Sequence, residues 1–444
     1  MQNRLQSILV FVLICMLLTP SVSLAQQNTS RLTVYYTFSA PTEFYLVPVD
    51  VLTPAAEDLP FLSLVMLIQG PPSGSFLHRT IPADTRILDL SIQDGLATVS
   101  FSREITQGAG GSASEALLIA SIANTLCRFG EIERVDILVE GERTSLGGHI
   151  ELEGPISYNP DVVIPQPFSD VSGHWAEGNI NAFFLTGMVE GYGDGSFRPQ
   201  REVSRAEFIK LLVLASGHEP YFADQPTFAD VTTEHWAYGF VEAAVAHGIL
   251  LDEDYPGGLR PDLTLPRLEM AIMLTRARNA EQKAIELRDA DLPFTDIAHL
   301  APWARGFIAA VGYLDLMHGD AEGTFRPSST STRAEVTAVL TRLMGMGEKN
   351  VRMAFPKPDA VPGDWVLLGG VARAFEATVE ARVLDDSGNE YVRSFTTATD
   401  AGPNWGFWAM MLPAPDGSHI TLEAFTTSAK DGSVQDLISR QLFR

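Results

Sequence analysis

The chain has 444 residues, with 31 Lys and Arg against 55 Asp and Glu, and a formal net charge of −24. That length predicts about three domains rather than one core. The acidic balance argues against nucleic acid and against adhesion to an anionic bilayer; it leaves a neutral or cationic partner, or a local basic site on an acidic body.

Arg4, an apolar run from Ile8 to Leu18 and Ser23-Leu24-Ala25 follow the order of an export signal with a small-x-small cleavage site. Residues 1–25 are therefore expected to be a signal peptide, with the mature chain beginning near Gln26. Cys15 sits inside the apolar run without lipoprotein context, so no lipid anchor is expected. Cys127 is then the one cysteine left, which excludes an internal disulfide; in an apolar helical segment it reads as a small buried hydrophobe. No later apolar run reaches the ~20 residues that span a bilayer, so a secreted protein held at the cell surface by non-covalent contacts is expected.

Arg31 to Phe38 and Phe44 to Leu52 are rich in Val, Tyr and Phe and predict strands. Ala56 to Ile68 is apolar at helical spacing and stops at Gly70-Pro71-Pro72. Ile87 to Ile92 and Leu96 to Phe101 flank Asp94-Gly95, a hairpin signal. Ser114 to Cys127 predicts a helix and Arg134 to Val139 a returning strand, which together make an α+β domain over 32–153. Gly70-Pro71, Ile81-Pro82, Asp94-Gly95 through Val99, Asn124-Thr125-Leu126, Phe129 and Val139-Glu140-Gly141 resemble the GerMN domain of sporulation and spore-germination proteins. The resemblance implies an envelope role without established chemistry, and His78 and His149 stand isolated from any nucleophile.

The centre of the chain repeats itself. Phe168-Ser-Asp170, Phe228-Ala-Asp230 and Phe294-Thr-Asp296 open three blocks, and Trp175, Trp236 and Trp303 follow. Gly195-Ser-Phe-Arg198-Pro, Gly258-Leu-Arg260-Pro and Gly323-Thr-Phe-Arg326-Pro come next, and in each block an Arg-x-Glu stretch starts seven residues after that arginine: Arg205, Arg267 and Arg333. Apolar periodicity predicts a helix from each Trp, a Gly-rich loop, and a second helix from each Arg-x-Glu, over 168–217, 228–279 and 294–345.

Ser204 with Glu207, and Thr332 with Glu335, have the spacing of a capping box. Arg205 and Arg333 then occupy the first helical position, against the positive end of the dipole, where a cation is mildly unfavourable. Free backbone N–H groups, the dipole and a guanidinium together would make an anion site suited to a carboxylate or phosphate. An internal salt bridge to Asp170, Asp230 or Asp296 is the other reading open to these arginines. The tryptophans likewise read either as core or as a ligand platform.

Phe-x-Asp, the Trp, Gly-Ser-Phe-Arg-Pro and Ser-Arg-Ala-Glu resemble S-layer homology (SLH) repeats. The resemblance implies an all-α bundle of three repeats whose grooves bind secondary cell-wall polysaccharide, often bearing a ketal-linked pyruvate. It places Arg205, Arg267 and Arg333 at the anionic group, Trp175, Trp236 and Trp303 at the sugar, and Asp170, Asp230 and Asp296 nearby. The second repeat departs from the pattern: Pro266 replaces the hydroxyl cap, Leu268 the small Ala, and the loop lacks Phe. Several sites on one rigid bundle would raise avidity by ~10²–10⁴ over a single one.

Gly345 to Asp364 reads as an extended linker. Val371 to Val383 alternates apolar and polar like one half-buried strand, and Tyr391 to Thr397, Trp405 to Leu412, Ile420 to Thr426 and Val434 to Phe443 predict further strands of an all-β sandwich over 351–444. Trp405 and Trp408, three apart, are expected on opposite faces, one in the core and the other exposed. Gly370 to Ala377, Gly406-Phe-Trp408 and Ser428 to Gly432 resemble the immunoglobulin-like domain of bacterial spore-germination proteins, implying an interaction or spacer module.

A non-enzymatic, wall-anchored surface protein is the leading reading, with secondary cell-wall polysaccharide as partner and peptidoglycan or other envelope proteins as further candidates. No catalytic constellation, metal-ligand spacing or cofactor motif appears. An envelope enzyme acting on peptidoglycan or polysaccharide is the alternative, since two carboxylates suffice for a glycosidase; a sporulation or germination assembly protein is the third.

Overall fold

The computed structural model describes residues 29–39, 43–72, 75–107, 110–164, 167–347 and 349–444. The expected signal peptide and Cys15 lie outside the described residues.

The N-terminal region mixes strands and helices. The antiparallel strands β1 (Thr29–Ser39) and β2 (Phe44–Pro54) pair Tyr36 with Val47. Helix α1 (Leu59–Gln69) begins where the Asp58 carboxylate accepts the Phe61 N–H, with Pro60 in the first turn where no donor is needed. The short β3 (Leu77–His78) pairs with β1. β4 (Ile87–Gln93) and β5 (Leu96–Phe101) turn through Asp94 and Gly95, both at positive φ as a two-residue hairpin turn requires. Helix α2 (Ser112–Leu126) leads to β6 (Arg134–Val139), parallel to β5, and β7 (Ile156–Ser157) closes that sheet in the order β4-β5-β6-β7. Glu115 of α2 is fully buried, and its carboxylate accepts hydrogen bonds from Ser145 Oγ and the N–H groups of Gly147, His149 and Ile150, so it ties down the segment after β6.

The centre is helical: α3 (Glu177–Phe184) and α4 (Arg205–Ala215), α5 (Tyr238–Ala246) and α6 (Arg267–Ala277), then a short α7 (Glu281–Leu287), α8 (Pro302–Tyr313) and α9 (Arg333–Leu343). The segments entering α4, α6 and α9 meet in a closed ring. Val203 donates to Ser331, Ser331 to Leu265 and Leu265 to Val203, each bond at 2.9 Å. Bridges of β type join Glu202 to Thr332, Ser204 to Thr264 and Pro266 to Thr330, so the axis of the repeats is extended chain with helices around it.

The C-terminal strands β8 (Val351–Phe355), β9 (Trp365–Ala372), β10 (Thr378–Leu384), β11 (Glu390–Thr397), β12 (Gly406–Pro413), β13 (His419–Thr427) and β14 (Val434–Phe443) form sandwich-type sheets. Trp408, Ile420, Leu422 and Val379 lie in the core between them. Three expectations need correction. The supposed linker contains β8, every residue of which is buried. The single strand expected over Val371 to Val383 is broken by a turn at Phe375–Ala377, where Glu376 and Ala377 take positive φ and Phe375 points outward. Trp405 and Trp408 are both buried, because the face of β12 opposite the sandwich core is itself covered.

What covers it is the rest of the chain. One sheet runs β3-β1-β2-β12-β9-β8, joining strands from both ends of the sequence through parallel pairing of β12 with β2. The Asp50 carboxylate accepts from Thr33 Oγ1 at 2.7 Å and Thr396 Oγ1 at 2.8 Å across that seam. α3 packs on β8 and β9, with Gly178 against the Trp405 ring. The buried Arg440 guanidinium of β14 donates to the carbonyls of Gly345 and Met353 at 3.0 Å each and to Pro356; burial draws its pKa down to about 10.

Candidate functional site

The three aspartates of the Phe-x-Asp stretches shape the loops. Asp170 accepts the N–H groups of Phe197 and Arg198 at 2.7 and 2.8 Å, Asp230 those of Leu259 and Arg260 at 3.0 and 2.7 Å, and Asp296 those of Phe325 and Arg326 at 2.9 and 2.7 Å. Arg198, Arg260 and Arg326 sit at φ of 57°, 52° and 57°. Side chains pay for that left-handed conformation, and the carboxylate fork holds it.

Both capping boxes form, with Ser204 Oγ accepting from Glu207 N–H at 3.2 Å and Thr332 Oγ1 from Glu335 N–H at 3.3 Å, whereas Pro266 supplies no side-chain cap. The free N–H groups expected at these helix starts are not there. Arg205 and Ala206 donate to Leu263 and Pro261, Arg267 and Leu268 to Ser329 and Pro327, and Arg333 and Ala334 to Arg201 and Pro199, at 2.8 to 3.0 Å. The loop of the neighbouring repeat thus takes up the first two N–H groups of each helix, so those groups are not available to a ligand.

The guanidinium groups follow the same cyclic order. Arg205 reaches the second repeat, where its Nε donates to both Glu269 oxygens at 2.8 and 3.0 Å and its Nη1 to Leu259 O at 3.0 Å. Arg267 reaches the third, donating to Phe325 O and His318 O at 2.8 and 2.9 Å, with Glu335 at 3.6 Å. Arg333 closes the ring onto the first, donating to Phe197 O and Glu190 O at 2.9 and 2.8 Å. The salt bridge to the aspartates is therefore replaced by clasps between repeats.

The three junctions differ in charge. Glu269 neutralises Arg205 and also accepts from Tyr255 Oη at 2.6 Å, and burial, then Glu269, pushes the Tyr255 phenol up. Arg333 makes no ion pair among the described residues; burial pulls its guanidinium below the ordinary range, opposed by Tyr192 and Glu207 and reinforced by Arg201. The Tyr192 ring lies 5.3 Å from the Arg333 guanidinium and 3.8 Å from that of Arg198. Arg201 pairs with Glu207 at 2.8 Å, and Arg198 with Asp194 at 3.0 Å; both arginines are exposed. Arg198, Arg201 and Arg333 thus gather around one tyrosine. Arg201 escaped notice in the sequence because the second and third repeats have Leu263 and Ser329 there, and Tyr192 because the loops align poorly.

Trp175, Trp236 and Trp303 are 62 %, 53 % and 58 % exposed, so the core reading of these residues is excluded. Trp175 and Trp236 stand just before their helices, and Trp303 lies in the first turn of α8. His174, whose ring centre is 5.6 Å from that of Trp175, meets Gln200 Nε2 at 3.0 Å and so links the tryptophan to the arginine loop. Among the described residues no group of three or more His, Cys, Asp or Glu is placed to hold a metal, and no helix is long and apolar enough to cross a membrane.

Three family descriptions match this chain. Residues 33–145 match Germane, sporulation and spore germination; residues 167–209, 227–271 and 293–337 match the S-layer homology domain; residues 350–433 match the immunoglobulin-like domain of bacterial spore germination. Similar curated proteins include an amylopullulanase of Thermoanaerobacterium thermosulfurigenes, 29 % identical over 40 % of this chain and 9 % of its own length. A cellulosome-anchoring protein of Acetivibrio thermocellus is 32 % identical over 24 % of this chain and 23 % of its own. The chain thus spans only a small part of these relatives. Among solved structures, the tandem GerMN domains of the sporulation protein GerM from Bacillus subtilis align at 25 % identity and a TM-score of 0.27, over 31 % of this chain and 48 % of that one. The matched domain types are binding or structural modules, and the relatives that are enzymes are similar through their SLH anchors. The chain carries a Germane domain, three S-layer homology repeats and an immunoglobulin-like domain of bacterial spore germination.

Proposed function

We propose that this is a non-enzymatic, exported surface protein that its three repeats, acting as one helical bundle, anchor to an anionic secondary cell-wall polysaccharide. The observation that carries this reading is the junction of the third repeat with the first. There Arg333 makes no ion pair among the described residues, Arg198 and Arg201 are exposed beside it, and Trp175 stands next to the same loop. A carboxylate on the polymer, such as a ketal-linked pyruvate, fits the arginines, and a sugar face fits the indole. Arg205 and Arg267 serve as clasps between repeats, and Asp170, Asp230 and Asp296 keep the loops in shape. Trp236 and Trp303 add sugar contacts that raise avidity. The Germane and immunoglobulin-like domains are presented to other envelope partners. Names among the relatives, such as a cellulosome-anchoring protein and the S-layer protein EA1 of Bacillus anthracis, support a place at the cell surface.

The test is co-pelleting of the mature protein with wall sacculi, native and stripped of secondary polymer. Native sacculi alone are expected to retain it, and salt to release it because the contact is ionic. Arg198→Ala and Arg201→Ala, both surface changes, are each expected to weaken retention about tenfold, the worth of one charge-assisted contact. Equal pelleting with both preparations, or unchanged retention of both variants, refutes the proposal.

A further inference from the structure

The edge of a sheet is a row of unpaired N–H and C=O groups open to any strand that reaches it, so folds keep edges short, charged, bulged or covered. The described sheets end on β3, β8, β4, β7, β11 and β14. β3 and β7 have two residues each, and β4 is bulged and carries the exposed Asp89. On β8 the Met353 carbonyl accepts from Arg440 and its N–H donates to Met346; on β11 the Phe395 carbonyl accepts from Arg31. β14 is bulged only at its start, at Asp436, and among the described residues none of these devices protects it from Leu437 to Phe443.

Arg444 N–H donates to Ser418 O at 3.0 Å, which fixes the alternation along β14. Ile438, Arg440 and Leu442 bond to β13, and the backbone groups of Leu437, Ser439, Gln441 and Phe443 face the open edge. No other segment of the described residues pairs with them. The side chains of the same four residues lie on the outer face of the sheet, where Leu437 is 42 % and Phe443 63 % exposed.

Leu437-Ile-Ser-Arg440-Gln-Leu-Phe443 is its own complement when two copies run antiparallel about a two-fold axis at Arg440. Leu437 then opposes Phe443 of the second copy, Ile438 opposes Leu442 and Ser439 opposes Gln441, so apolar meets apolar and polar meets polar on each face. The four open-edge residues of one copy meet the four of the other, which gives about eight backbone hydrogen bonds where a typical interface has about 10 ± 5. The charges agree with this register. The paired stretch holds no Asp or Glu, the Arg440 guanidinium is turned inward onto the carbonyls of Gly345, Met353 and Pro356, and Asp436 falls toward Arg444 of the second copy at both ends. We infer that the β14 edge is the seam of a two-fold dimer, in which the β11-β10-β13-β14 sheets of two copies join into one continuous sheet. On the anchoring reading above, such a dimer doubles the repeats that engage one wall; the pairing itself does not rest on that reading.

The experiment is sedimentation equilibrium of the full mature chain over about 1 to 100 µM. A monomer–dimer equilibrium with a Kd on the order of 10 µM is expected, tightening with salt as two strongly acidic bodies are screened from each other. Two double variants test the register at exposed positions: Leu437→Lys with Phe443→Lys, and Leu437→Glu with Phe443→Glu. Each by itself is expected to weaken dimerisation about tenfold or more, because like charges then oppose each other at both ends of the seam. An equimolar mixture of the two is expected to recover the dimer, since opposite charges then meet. A chain that stays monomeric throughout the range, a dimer that neither double variant weakens, or a mixture that recovers nothing overturns the inference.

Discussion

Arg205→Ala measures whether the repeat arginines are clasps. The guanidinium makes two bonds to Glu269 and one to Leu259 O, and the two side chains are 16 % and 13 % exposed. Among the described residues, removing it leaves a mostly buried carboxylate with only the Tyr255 hydroxyl as donor, and a loop carbonyl with none. Breaking a fully buried pair from one side costs about 3–5 kcal/mol, and the residual exposure of this one lowers the expectation to about 2–4 kcal/mol. Glu269→Gln keeps the shape and the acceptor and is expected to cost about 1–2 kcal/mol, with a coupling of about 1–3 kcal/mol in the double-mutant cycle. Arg333→Ala, which loses only bonds to carbonyls, is expected to cost less than Arg205→Ala. The assay is urea unfolding of the mature chain followed by tryptophan fluorescence. A cost below about 0.5 kcal/mol for Arg205→Ala, or a coupling of zero, refutes the clasp.

Other positions give equally direct readings. Burial pushes the Glu115 carboxyl up, but bonds from Gly147, His149, Ser145 and Ile150 outweigh it and hold the group below the ordinary range. A carboxyl lowered by folding contributes stability that is full above its unfolded value, ~4.3, and is lost as pH falls through the folded one; Glu115→Gln should flatten that acid limb in thermal scans run from pH 7 downward. Gly178→Ala puts a methyl 2.3 Å from the Trp405 ring and should cost about 1–3 kcal/mol, with a change in tryptophan fluorescence as the sandwich is pried from the first repeat. Ser204→Ala should cost about 1 kcal/mol in urea unfolding, whereas Pro266→Ser should restore little, because Glu269 is already committed to Arg205 and Tyr255.

The local devices were legible because they depend on residues near one another in sequence. The Asp94-Gly95 turn, the two capping boxes and the repeated spacing from Trp to Arg each need only a few positions and a known backbone preference. The partners of Arg205, Arg267 and Arg333 were not legible, since each lies in the next repeat and the ring closes from Arg333 back to Phe197. A pattern search finds the arginine and misses its acceptor. The fate of Trp405 was hidden for the same reason: alternation along a strand tells which face a residue takes, and says nothing of what covers that face.

Composition and spacing alone settled that the chain has three kinds of module, that the middle one is threefold, and that its helices start at an Arg behind a hydroxyl cap in two repeats of three. These are properties of short segments, where backbone sterics and periodic burial act without reference to distant chain. Tertiary structure alone decided that the helix starts are filled by neighbouring loops, that Arg205 is neutralised while Arg333 is not, and that β2 and β12 join the two ends of the chain in one sheet. Those outcomes depend on which carbonyl, carboxylate or strand edge arrives from far along the chain, and charge and hydrogen-bonding needs are met by proximity in space.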